Sequence, residues 1–98
     1  MDNREEFYDR EIAPALRKLA ERCAAQGMSF AAAVQFADQG VGSTVMLTEA
    51  PDPTLRLTAF AARCKGNADL LLGWIEEDAR KHGHSSVYMA RLGVPHSA

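Results

Sequence analysis

The 98-residue chain predicts an α+β fold, and three observations carry that expectation. Apolar residues recur at helical spacing near the amino terminus. The period then changes to two for about twenty residues, broken once by a turn-rich stretch. From residue 50 onward, Pro, Asn, Ser and Gly punctuate three further helical segments. The predicted order is a long N-terminal helix, a β-hairpin, two helices and a short C-terminal helix.

The first helix is read from Arg4 to Gln26, where Tyr8, Ile12, Leu16, Leu19 and Cys23 form one stripe. Asp2 or Asn3 suits the N-cap, Glu5 and Glu6 suit the positive end of the helix dipole, and Gly27 suits a left-handed stop. Pro14 removes a backbone donor from the interior, so a kink or a break is expected there. Next, Met28, Phe30, Ala32, Val34 and Phe36 alternate with Ser29, Ala31, Ala33, Gln35 and Ala37, the pattern of a strand. Residues 38–42 read as its turn, and Ser43 to Glu49 as the returning strand. A lone hairpin is marginal in water, so helices should cover its large-residue face, packing should also cover its alanine-rich face, and its edges are open to a second copy of the chain.

Asp52 and Pro53 place an N-cap and a first helical residue, and Leu57, Phe60, Ala61 and Cys64 then give one apolar face. Gly66 ends that helix and Asn67 caps the next, which runs through Leu71, Leu72, Trp74, Ile75 and Ala79 to His82. Gly83 punctuates, Ser85 or Ser86 caps a last helix from Val87 to Leu92, and Gly93 with Pro95 ends it.

Length sets a single domain, 1–98, and 47% apolar with 24% charged residues is the balance of a globular chain rather than a disordered one. A net charge of −2 argues against a broad basic surface for nucleic acid or anionic lipid. No apolar run approaches the roughly 20 residues that span a bilayer, and no secretory signal opens the chain, so a cytoplasmic protein with reduced Cys23 and Cys64 is expected.

The densest chemistry lies in residues 81–86. Asp78 is four residues before His82 and so shares its helical face, while His84, Ser85 and Ser86 follow Gly83. Two imidazoles and a carboxylate could bind zinc, iron or manganese. Ser85 beside a histidine and Asp78 also supplies the residue types of a hydrolase, without a G-x-S-x-G turn to hold the nucleophile. Helix stop and start explain the same residues with no further assumption: His82 on the negative helix end, Gly83 as a left-handed cap, and a serine as the next N-cap. Asp78, His82, His84 and Ser85 therefore stand as the candidate cluster, with no catalytic residue and no cofactor assigned. Ala62, Gly66 and Leu72 sit at helix-turn-helix offsets, but Asp69, Glu76, Glu77 and Asp78 would repel phosphates, and an αα-hairpin accounts for the spacing.

Three segments carry a resemblance: Asp9-Arg10-Glu11-Ile12-Ala13-Pro14, then Gly27-Met28-Ser29-Phe30, and His82-Gly83-His84-Ser85-Ser86 followed by Leu92-Gly93-Val94-Pro95. In these the chain resembles the small uncharacterised proteins of tailed phages and bacterial prophages, over most of its length. The resemblance implies a bacterial cytoplasm and a host or phage protein as partner; that group has no activity to carry over, so it assigns no residue a role. The expected function is a non-enzymatic interaction or regulatory module, homodimeric through hairpin edges or an apolar helix face. A small metal-dependent or hydrolytic enzyme centred on His82 and His84 is the first alternative, and a helix-pair nucleic-acid binder the second.

Overall fold

A computed structural model describes residues 3–97. The order is α1 (Asn3–Phe7), a π-helical turn (Tyr8–Ile12), α2 (Ala13–Ala25), β1 (Phe30–Ala37), β2 (Gly40–Met46), α3 (Pro53–Arg63), α4 (Ala68–His82) and α5 (Val87–Arg91). This is the expected α+β succession. The chain gathers into two compact units, Met1–Lys65 and Gly66–Ala98.

In the first unit, Pro14 neither breaks the N-terminal helix nor ends it. A proline ring collides with the carbonyl four residues back in ideal α-geometry. Here the turn before it is wider, with the Ala13 N–H donating to the Tyr8 carbonyl. The wider turn also resets which residues face inward. Tyr8 and Ala20 are buried and Ile12 and Leu16 half-buried, all at steps of four, while Leu19 is 45% exposed. Three steps of four drift by about 120° in an unbroken α-helix, and one inserted residue takes back about 100°. Ala20 therefore replaces Leu19 on the stripe. Asp2, one of the two proposed caps, lies outside the described residues; Asn3 is already within the helix. At the other end Gly27, at φ 75°, closes a Schellman motif in which Met28 N–H donates to the Cys23 carbonyl and Gly27 N–H to that of Ala24.

β1 and β2 pair antiparallel, from Phe30 opposite Met46 to Ala37 opposite Gly40, with a bulge at Phe36. The expected turn was too long and the second strand too late: Asp38 and Gln39 alone close the hairpin, and Gly40, Val41 and Gly42 already belong to β2. These two glycines supply space. Any side chain on Gly42 would run into the ring and hydroxyl of Tyr8, and one on Gly40 into the ring of Phe36. Tyr8 and Phe36 in turn stack with centroids 5.0 Å apart and planes 28° from parallel. The Tyr8 ring, carried by the N-terminal helix, therefore packs on the even-numbered face of β1, as the expectation of a helix over the large-residue face requires. The opposite face does not meet the expectation of close packing throughout, since Ala33, Gln35, Val41 and Ser43 are exposed and Ala31 and Ala37 only half-buried. Beyond the ladder, Ser29 Oγ lies 2.8 Å from Thr48 Oγ1 and accepts from Thr48 N–H at 3.0 Å, tying the strand ends together.

α3 starts as predicted: Asp52 accepts from Thr54 N–H at 2.8 Å, and Pro53 occupies the first turn. That hydrogen bond, then one with the Thr54 hydroxyl and the charge of Arg56, hold the Asp52 carboxyl below its ordinary value of 3.8. The inward face of α3 is centred on buried Ala59, with Leu55 half-buried; of the predicted face Phe60 is half-buried and Cys64 buried, while Leu57 and Ala61 are exposed.

In the second unit Asn67 caps α4 by accepting from Leu70 N–H at 2.9 Å. Ile75 and Ala79 on α4, Met89 on α5 and Val94 after it form the core of this unit. α5 ends in a second Schellman motif, with Gly93 at φ 83° and Val94 N–H donating to the Met89 carbonyl. Among the described residues, no helix is long and apolar enough to cross a membrane.

Candidate functional site

Residues 78–86 lie in the second unit, across the end of α4 and the start of α5. The helix stops because Gly83 takes φ 80° and ψ 171°, an extended left-handed geometry essentially restricted to glycine. The expected αL cap is thus not formed, although Gly83 N–H still donates to the Ala79 carbonyl at 2.8 Å. Ser86 takes the cap of α5, accepting from Met89 N–H at 3.1 Å, and Ser85 is left exposed in the loop.

The two imidazoles serve different purposes. His82 Nε2 stands 3.9 Å from Asp78 Oδ1, with the His82 side chain 46% exposed and that of Asp78 12% exposed. The separation is too long for a hydrogen bond, and an i,i+4 contact of this kind contributes only about 0.2–0.5 kcal/mol when charged.

His84 is instead built into the backbone. Its Nδ1 accepts from Ser86 N–H at 2.9 Å, and its Nε2 lies 2.9 Å from the Val94 carbonyl. An amide can only donate and a carbonyl can only accept, so the ring is neutral with its proton on Nε2. A second histidine completes the tie: His84 N–H donates to the His96 carbonyl at 2.9 Å, and His96 Nδ1–H donates to the His84 carbonyl at 3.1 Å. The two rings stand 4.8 Å apart, tilted by 36°. Three of these hydrogen bonds fasten the loop before α5 to the segment after it, which carries buried Val94, and the Ser86 bond braces the loop itself.

The geometry bears on each reading of the cluster. Both ring nitrogens of His84 are occupied, which leaves no lone pair for a metal or for a serine proton. Asp78 and His82 come together loosely, while Ser85 joins neither pair in the way a nucleophile and its base require. Among the described residues no group of three or more His, Cys, Asp or Glu side chains is gathered to hold a metal ion. Cys23 is half-buried and Cys64 buried, the latter bonding the Ala61 carbonyl through its thiol at 3.3 Å. Leu72, which a helix-turn-helix would turn inward, is 56% exposed.

His96 was not legible as a partner, because nothing in a spacing of twelve residues announces a loop-to-loop tie. The surface provides two features that the cluster does not. One is the open face of the hairpin; the other is α5, where Val87, Tyr88 and Leu92 are all solvent-exposed. Comparison with known proteins assigns no family: no family model matches the chain, and neither a curated protein nor a solved structure matches it.

Proposed function

We propose that the chain is a non-enzymatic interaction module that pairs with a second copy of itself through the hairpin. The observation that carries this reading is the make-up of the two strands. Neither β1 (FAAAVQFA) nor β2 (GVGSTVM) contains a charged residue or a proline. Sheet edges of solitary proteins are usually blunted by such residues, because unpaired N–H and C=O groups otherwise recruit another strand. A two-fold pairing of like strands makes a four-stranded sheet, brings no like charges together and extends the uncharged face of Ala33, Gln35, Val41 and Ser43. The phage-like segments support a bacterial cytoplasm as the setting, and among the described residues no helix is long and apolar enough to cross a membrane.

The test is the mass in solution. Sedimentation equilibrium from micromolar to millimolar protein should give a dimer. A lysine at Ala33 or at Ser43 points away from the covered face, so Ala33→Lys and Ser43→Lys should leave the far-UV spectrum unchanged while one of them, on the pairing strand, yields a monomer. A monomeric wild type throughout, or dimers in both variants, would refute the hairpin interface.

A further inference from the structure

The three most exposed large apolar side chains of the described residues are Tyr88 at 74%, Val87 at 65% and Leu92 at 60%. They are neighbours by construction. Tyr88 and Leu92 lie four apart on α5 and its C-cap, and Val87 lies four from Arg91, so two adjacent columns present Tyr, Leu, Val and Arg together. Arg91 is held in that patch, its guanidinium 6.0 Å from the centroid of the Tyr88 ring.

A five-residue helix would not persist alone, and this one has three anchors. Met89 and Val94 bury the opposite side, Ser86 caps the first turn, and the His84 and His96 hydrogen bonds fix both flanks. A rigid tyrosine, an arginine and two aliphatic groups on a fixed support have the composition of a binding hot spot.

From this we infer that α5 is a docking surface for a short acidic segment of a partner protein, one carrying apolar side chains between its carboxylates. Charge selects the occupant. Residues 83–97, which hold α5 and its flanks, contain Arg91 and two histidines and no Asp or Glu, whereas Arg80 of α4 is already paired with Glu76 at 2.9 Å. An acidic segment meets no carboxylate on α5 or its flanks, and Arg91 offers it a bidentate donor. Nucleic acid is the poorer match, since the patch carries one cation, Arg91, among the apolar side chains of Val87, Tyr88 and Leu92, and a phosphate chain needs several. The chain's own N-terminal helix is also a poorer match, because Arg4 and Arg10 interrupt its acids and Arg10 pairs with Glu11 at 3.1 Å. The inference rests on the reading of the chain as an interaction module, but not on hairpin pairing.

The experiment is fluorescence anisotropy on the full chain with three labelled probes: a short peptide alternating Asp with Leu and Phe, its Lys-for-Asp counterpart, and oligo-dT. The acidic peptide should bind, weaken as salt is raised, and lose about tenfold or more in affinity with Tyr88→Ala and with Arg91→Glu. Both positions are exposed, so circular dichroism should show the variants folded. No binding of the acidic peptide, equal binding of the lysine peptide, preference for oligo-dT, or indifference to both substitutions would overturn the assignment. Repeating the titration with Ala33→Lys and Ser43→Lys separates the two proposals: the peptide should bind whichever mass those proteins show.

Discussion

The two units reach order by opposite means. Residues 3–65 interlock side chains, with the Tyr8 ring lying where Gly42 lacks a Cβ and the Phe36 ring where Gly40 lacks one. Residues 66–97 have a core of only Ala79, Met89 and Val94 with Ile75, and they add hydrogen bonds from a histidine to the backbone. A unit of this size is too small for burial alone to hold it firmly. Polar side chains there take on the work that rings do in the hairpin. Histidines beside a glycine and serines can thus be structural for a reason particular to imidazole: it carries a donor and an acceptor on opposite sides of one rigid ring, so it can bridge an N–H and a C=O that face each other.

Substitutions should separate the two designs. The largest effect is expected at Tyr8, where Tyr8→Ala should cost about 3–5 kcal/mol by chemical denaturation, since it empties the space between helix and hairpin. Gly42→Ala should cost about 1–3 kcal/mol by forcing that ring aside. Because both act on one contact, the double variant should fall short of the sum of the single effects; strict additivity would mean the ring and the glycine do not interlock.

Next in size are the backbone-dependent positions of the second unit. Gly83→Ala should cost about 1–3 kcal/mol, and Gly83→Asn should do no better, because asparagine tolerates the αL region and not the extended geometry found here. His84→Ala should cost about 1–3 kcal/mol by leaving the Ser86 N–H and the Val94 carbonyl without the ring. His82→Ala, four residues from Asp78, should change stability by no more than about 0.5 kcal/mol. Equal losses at the two histidines would erase the distinction drawn between them.

The smallest effect concerns pH and lies in the first unit. Asp52 is held below its ordinary value of 3.8, so its carboxylate stabilises the cap fully above that pH, and the contribution is lost as pH falls through the lowered value. Asp52→Asn keeps a capping oxygen without the charge. Acid unfolding of that variant should be less steep than that of the wild type below pH 3.8, with the curves parallel above it; a difference confined to neutral pH would contradict the assignment.

The order of elements was legible because each boundary is a local event. Asp52, Asn67 and Ser86 each accept from an amide two or three residues on, so a short window of sequence contains the whole interaction. What was not legible depends on something outside the window. Leu19 lost its place to Ala20 because the π-turn before Pro14 changed the helical phase. Gly40 and Gly42 resembled turn residues, yet their role is set by rings on other parts of the chain. At the candidate cluster, helix capping by Ser85 or Ser86 was anticipated, and Ser86 is the one that caps. The purpose of His84 was not, since both the Val94 carbonyl and His96 arrive from beyond α5.

The central claim is that His84 is a structural tie. Long-range 1H–15N correlation of the histidine rings at neutral pH tests it most directly. The structure predicts a single neutral tautomer for His84, protonated at Nε2 and bare at Nδ1, unchanged when zinc is added. A proton on Nδ1, a mobile mixture of tautomers, or a shift of the ring nitrogens on adding zinc would contradict it and return His84 to the list of candidate ligands.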